Sequence, residues 1–304
     1  MPGATRIISP APGAARAILL LFAAAVYAPG QAQSKAQAAQ PSSKPVAIER
    51  LALHQFEDGP LLSPDYPFVP GETAYFSCRV TSYRIVKTEQ EQSVKLAWQM
   101  RVVDPSGVAI EKDRAGRIED HVLPQDKSWM PKFISSFVIP AFAASGTYRV
   151  TVKIVDEAAS VETAGEIAFQ VHGRTIEPSA TLLARNFQFL RAENDRTAMT
   201  AAIYHPGETL WARFDITGYK FGEGNRLSVD YGLAVLRPAG EQVFAQPVAA
   251  AESKDSFYPQ RYVPGALSLT LDPAVPKGSY ILLITVRDKL GDQTWETKQP
   301  FEID

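Results

Sequence analysis

Four histidines, a single cysteine and 33 carboxylates are the groups with which this chain could do chemistry. Hydrolysis by nucleophilic attack needs a nucleophile, a base within its reach and a group that orients the base. No Gly-x-Ser-x-Gly turn presents a serine, and no His-Glu-x-x-His segment presents a pair of zinc ligands. His54, His121, His172 and His205 do not pair at ligand spacing, so each reads as a surface or packing residue. Asp255, Asp288 and Asp292 could join a calcium site on loops, but EF-hand spacing is absent and turn roles account for such aspartates. Gly222 and Gly224 fall in a short polar segment and read as a turn rather than a phosphate cradle. The expectation is a non-enzyme with no cofactor and no metal.

What remains is binding. Two long segments, 114–132 and 248–265, fall outside the strand pattern and read as loops of a length that is often functional. The first holds His121, Trp129 and Met130; the second holds Phe257, Tyr258, Arg261 and Tyr262. Aromatics beside arginine suit protein hot spots and stacking on sugars. The competing expectation is that these rings fold back and roof a sandwich edge.

Composition narrows the setting. A hydrophobic content of 45% with 21% charged residues describes a chain able to bury a core. A net charge of -2 argues against nucleic acid as a partner. Arg6 and Arg16 precede an apolar run at 17–26, followed by Pro29, Gly30 and small residues around Ala32. That order reads as a secretory signal over 1–32, too short for a bilayer span, with a flexible leader over 33–45. No second apolar segment predicts a stable membrane span. The expected address is secreted or periplasmic.

The elements that would position any site are announced by an internal repeat. Pro70-Gly71-Glu72-Thr73 recurs as Pro206-Gly207-Glu208-Thr209, 136 residues on. Tyr83-Arg84 recurs as Tyr219-Lys220, and Asp104-Pro105-Ser106-Gly107 as Arg237-Pro238-Ala239-Gly240. Gly146-Thr147-Tyr148 recurs as Gly278-Ser279-Tyr280, and Asp156 as Asp288, now 132 apart. The falling offset places a shorter loop in the second copy. A period of this size is a domain, so the repeat predicts domains at 46–173 and 174–304.

Within each copy, apolar residues alternate with polar ones. Ala74, Phe76, Cys78 and Val80 share one face, as do Leu210, Ala212, Phe214 and Ile216. Period two with one apolar face is a half-buried strand. Cys78 therefore aligns with Phe214 at an inward position and reads as a small buried hydrophobe, while Asp215 is expected to face outward. Further strands are expected at 94–103, 134–139, 148–154 and 166–171, with counterparts at 227–236, 267–271, 280–286 and 298–303. Leading strands are expected near 48–56 and 182–190, giving about seven per copy.

Pro-Gly-Glu before a strand, Asp-Pro-x-Gly in a hairpin and Gly-x-Tyr opening a late strand resemble the immunoglobulin-like sandwiches of macroglobulin-type domains. The resemblance covers about 46–173 and 174–304 and implies an all-β fold of two tandem antiparallel sandwiches in a secreted bacterial protein. It implies a tyrosine corner at Tyr148 and Tyr280, behind Gly146 and Gly278. No Cys-Gly-Glu-Gln thioester motif is present, so protease trapping does not carry over. The expected function is an exported module that binds a protein in the envelope or outside the cell. A carbohydrate-binding accessory protein is the alternative, and a hydrolase with an interdomain site the weaker third.

Overall fold

The computed structural model describes residues 44–304 apart from Gln90, Pro124, Asp126 and Lys127, so the expected signal peptide and most of the leader lie outside the described residues. The described residues belong to one compact unit. They are all-β, with one short 3-10 turn at Glu223–Asn225. The first half runs β1 (Ala47–His54), β2 (Pro67–Phe68), β3 (Thr73–Thr81), β4 (Val86–Lys87), β5 (Gln92–Val103), β6 (Arg114–His121), β7 (Lys132–Val138), β8 (Gly146–Asp156) and β9 (Val161–Val171). The second runs β10 (Leu183–Leu190), β11 (Ile203–Tyr204), β12 (Thr209–Thr217), β13 (Leu227–Leu236), β14 (Gln242–Lys254), β15 (Val263–Thr270), β16 (Gly278–Asp288) and β17 (Gln293–Ile303).

The two halves repeat one strand order. In the first, β1-β3-β7 form one sheet, and β2-β9-β8-β5 form another that ends in β4 and β6. In the second, β10-β12-β15 and β11-β17-β16-β13-β14 repeat this without a partner for β4. The missing hairpin is where the sequence offset shrinks. Each pair of sheets contributes to one buried cluster, an arrangement of the β-sandwich kind. Ala74, Phe76, Cys78 and Val80 are fully buried, and Leu210, Ala212, Phe214 and Ile216 nearly so.

The repeated motifs do matching local work. Gly71 and Gly207 both have φ +87°, a left-handed conformation costly for any residue with a Cβ. The glutamate that follows turns back, so Val69 N–H donates to Glu72 and His205 N–H to Glu208. Asp156 accepts from Arg84 N–H at 2.6 Å, and Asp288 from Lys220 N–H at 2.8 Å. The Tyr-basic pair is thereby tied to the aspartate that ends β8 or β16. The Tyr148 hydroxyl donates to Ala144 O at 3.1 Å and that of Tyr280 to Pro276 O at 2.7 Å, each four residues upstream.

Both expected loops are corrected. Residues 114–121 form β6, paired along β5, and residues 248–254 complete β14, paired along β13. A sequence of mixed polarity hid these strands because both lie at sheet edges, where no face demands alternation. Residues 255–262 are the loop that follows β14.

Candidate functional site

The shorter loop 255–262 carries the most informative geometry, because it crosses from the second half onto the first. It is anchored at home by Asn225 Nδ2, which donates to Phe257 O at 2.7 Å, and by the Tyr219 hydroxyl, which donates to Gln260 O. Its far side reaches the hairpin turn after β5. There Asp104, 2% exposed, accepts from Ser106 N–H, Ser106 Oγ and Val108 N–H on Oδ1. Its Oδ2 accepts from the Tyr258 hydroxyl and from Arg261 Nη2, both at 2.9 Å. Arg261 also donates to Ser106 Oγ at 2.8 Å. Burial alone pushes the Asp104 carboxyl up, but these hydrogen bonds and the Arg261 charge outweigh it and hold it below its ordinary 3.8. The Tyr258 phenol is pushed far up, first by burial and then by Tyr148 and Asp104 beside it, so it stays a donor.

A second contact lies beside the first. Tyr262 packs edge-on against Phe142, ring centroids 5.5 Å apart, with the Arg174 guanidinium 5.7 Å above it. Arg174 Nη2 donates to Asp215 Oδ2 at 2.6 Å, and Asn186 Nδ2 donates to the same oxygen at 2.8 Å. The connector is tight as well. Ser145 Oγ donates to Gly173 O at 2.6 Å, and a Cβ on Gly173 would lie 1.8 Å from Ala143 O. Only glycine fits that crossing.

The expected site residues are therefore divided. Tyr258 and Tyr262 are 7% and 8% exposed, buried at the junction rather than displayed. Trp129 is half-buried against the first core, edge-on to Tyr83, whose hydroxyl donates to Trp129 O at 2.9 Å. Met130 is half-buried, and Arg261 is exposed but committed to Asp104. Phe257 alone of the expected aromatics is displayed, at 49%. The outward assignment of Asp215 is also corrected: it is 1% exposed, because the connector and Asn186 cover the outer face of β12. Cys78 is buried, and desolvation pushes its thiol up to about 12. His54 Nδ1 donates to Gly59 O and its Nε2 shares a hydrogen bond with Ser77 Oγ, each at 2.7 Å, a packing role.

Sequence reasoning missed Asp104, Phe142, Arg174 and Asn186. One signal was available: the duplicated hairpin has Asp104 in one copy and Arg237 in the other, so the residue is not required by the turn itself.

Beside the lock, a cleft of 470 Å³ opens between the halves, walled by Val138, Pro140 and Phe142 on one side and Lys254, Asp255 and Phe257 on the other. Lys254 Nζ lies 4.9 Å from the Phe142 ring centroid and 2.8 Å from Glu252. Gln260, 2% exposed, lines the cleft; its Nε2 donates to Tyr262 O, while its Oε1 has no partner. Among the described residues no three metal-ligating side chains converge, and no helix is long and apolar enough to cross a membrane.

No family model matches the chain, and no curated protein matches it. Among solved structures, it is similar to the C-terminal domain of the AgI/II polypeptide BspA of Streptococcus agalactiae. The identity is 9%, over 83% of this chain and 98% of that one, with a TM-score of 0.27. A likeness that slight adds nothing to what the chain's own geometry says.

Proposed function

We propose that the chain is an exported, non-catalytic interaction module of two tandem immunoglobulin-like sandwiches, 46–173 and 174–304, akin to macroglobulin-type domains and locked end to end. The observation that carries this reading is the buried Asp104, which receives Tyr258 and Arg261 from the other half. A hinge between independently moving domains has no use for a desolvated carboxylate fully provided with donors. A unit that must present surfaces on both halves in one fixed relation does. The repeated strand order supports the tandem reading, and the basic flank and apolar run within 1–32 support export.

The reading is tested by fractionating cells of the source organism and by capture from the envelope fraction. Recovery of the processed protein outside the cytoplasm, with a partner held by the wild type and released by Asp104→Ala, is the expected result. A cytoplasmic protein with an intact N-terminus, or turnover of a substrate by the purified chain, would sink it.

A further inference from the structure

We infer that the cleft between the two halves is a subsite for a neutral saccharide; the inference rests on the reading of the chain as a binding module. Three properties of the cleft converge on that ligand class. The first is an aromatic platform. Phe257 is 49% exposed although its loop is pinned through its own carbonyl by Asn225. A displayed ring on a fixed backbone offers a flat apolar face at little entropic cost on binding. The second is charge. Lys254 and Asp255 are adjacent, opposite in sign and both on the cleft wall, and Lys254 is already paired with Glu252. A phosphate or carboxylate would meet Asp255, and a cation would meet Lys254. A neutral ligand offends neither and can use both, hydroxyl to carboxylate and hydroxyl oxygen to ammonium.

The third property is size and lining. A cleft of 470 Å³ is of the order that holds a small organic ligand. Val138, Pro140 and Phe142 opposite Phe257 offer a second apolar wall, so a ring with C–H faces above and below and hydroxyls around its rim fits the pattern.

The test uses the whole chain and isothermal titration with short neutral oligosaccharides of glucose, mannose and N-acetylglucosamine. Saturable binding of at least one is expected. Phe257→Ala should weaken it at least about tenfold, Phe257→Trp should retain it, and Val138→Arg, which places charge on the opposite wall, should abolish it. All three variants change exposed side chains, so their melting temperatures should stay near that of the wild type. Absence of saturable binding, or binding indifferent to Phe257→Ala and Val138→Arg, overturns the inference. Preferential binding of an uncharged peptide in the cleft overturns it too. Either failure leaves the module reading standing if an envelope partner is still captured by the wild type and released by Asp104→Ala.

Discussion

The Tyr258 hydroxyl lies 2.9 Å from Asp104 Oδ2, joining two residues 154 positions apart and two hydrophobic cores. Tyr258 counts among the buried residues of the first core although it belongs to the second half. Removing the hydroxyl with Tyr258→Phe keeps the ring and loses one charge-assisted hydrogen bond, about 1.5–3 kcal/mol. Asp104→Ala should cost more, about 2–4 kcal/mol, because it leaves both the buried Tyr258 phenol and the Val108 N–H without an acceptor, while Arg261, about half exposed, can turn to water. Denaturant unfolding of the two single variants and the double variant should give a coupling of at least about 1 kcal/mol. Additive effects would mean that the two groups do not act on each other.

The same carboxylate sets an acid limit. Burial works against the ionised Asp104, but its hydrogen bonds and Arg261 win, so its folded pKa lies below the ordinary 3.8. Asp230 behaves alike: burial opposes ionisation, and hydrogen bonds and charge from Lys289 and Arg287 outweigh it. A depressed folded pKa contributes stability that is present above the unfolded value and lost as pH falls through the folded one. Melting temperature should therefore be flat with respect to these groups well above pH 3.8, begin to fall as pH approaches that value and keep falling below it. In Asp104→Asn the chain should start less stable and lose less on acidification. An unchanged acid slope would remove Asp104 from the account.

Much of this fold could be read from alternation and repeat spacing, because each inner face is a run of apolar residues at period two. The strands 227–236 and 182–190 come out within a residue of β13 and β10. What sequence could not supply was cross-strand register and what covers an outer face. Edge strands β6 and β14 lacked the pattern, and Asp215 kept the polar phase while being buried. The joint stayed hidden because its partners are distant in sequence and each, taken alone, is an ordinary turn aspartate, loop tyrosine or linker arginine. Exposure of Phe257 agrees with the loop reading, whereas Tyr258 and Tyr262 followed the roofing alternative.

Register also explains a difference between the cores. Cys78 lies opposite Phe133 across β3 and β7, while Phe214 lies opposite Gly265 across β12 and β15. The large ring has changed strands and the small residue has changed with it. A Cβ on Gly265 would come within 2.3 Å of the Phe214 ring, so Gly265→Ala should destabilise by about 1–3 kcal/mol through overpacking. Phe214→Cys should leave a cavity at similar or greater cost. Combining Phe214→Cys with Gly265→Phe recreates the first core's pair and should recover stability relative to Phe214→Cys. A double variant as unstable as the sum of its parts would show that the two sites are not complementary.

Tyr280 tests whether the late tyrosine is structural. Its hydroxyl donates to Pro276 O at 2.7 Å, and its ring stacks on Phe301 at 5.7 Å between centroids. Tyr280→Phe keeps the stack and removes one hydrogen bond, so unfolding free energy should drop by about 1 kcal/mol. Unchanged stability combined with lost partner binding would make the hydroxyl part of a recognition surface instead.

Asp215 gives the sharpest correction to strand phase. Alternation alone makes it a surface carboxylate whose loss costs under about 0.5 kcal/mol. In the structure it is 1% exposed and holds Arg174 and Asn186 on one oxygen. Asp215→Ala should cost about 1–3 kcal/mol, the range for stranding donors of a buried group. The upper end is unexpected because Arg174, about half exposed, can turn to water. Phe214→Asp should be worse still, since it places an unpartnered carboxylate in the second core. Chemical denaturation of the two variants orders them. Asp215→Ala as stable as the wild type would return Asp215 to the surface and cut the Arg174 tie from the joint.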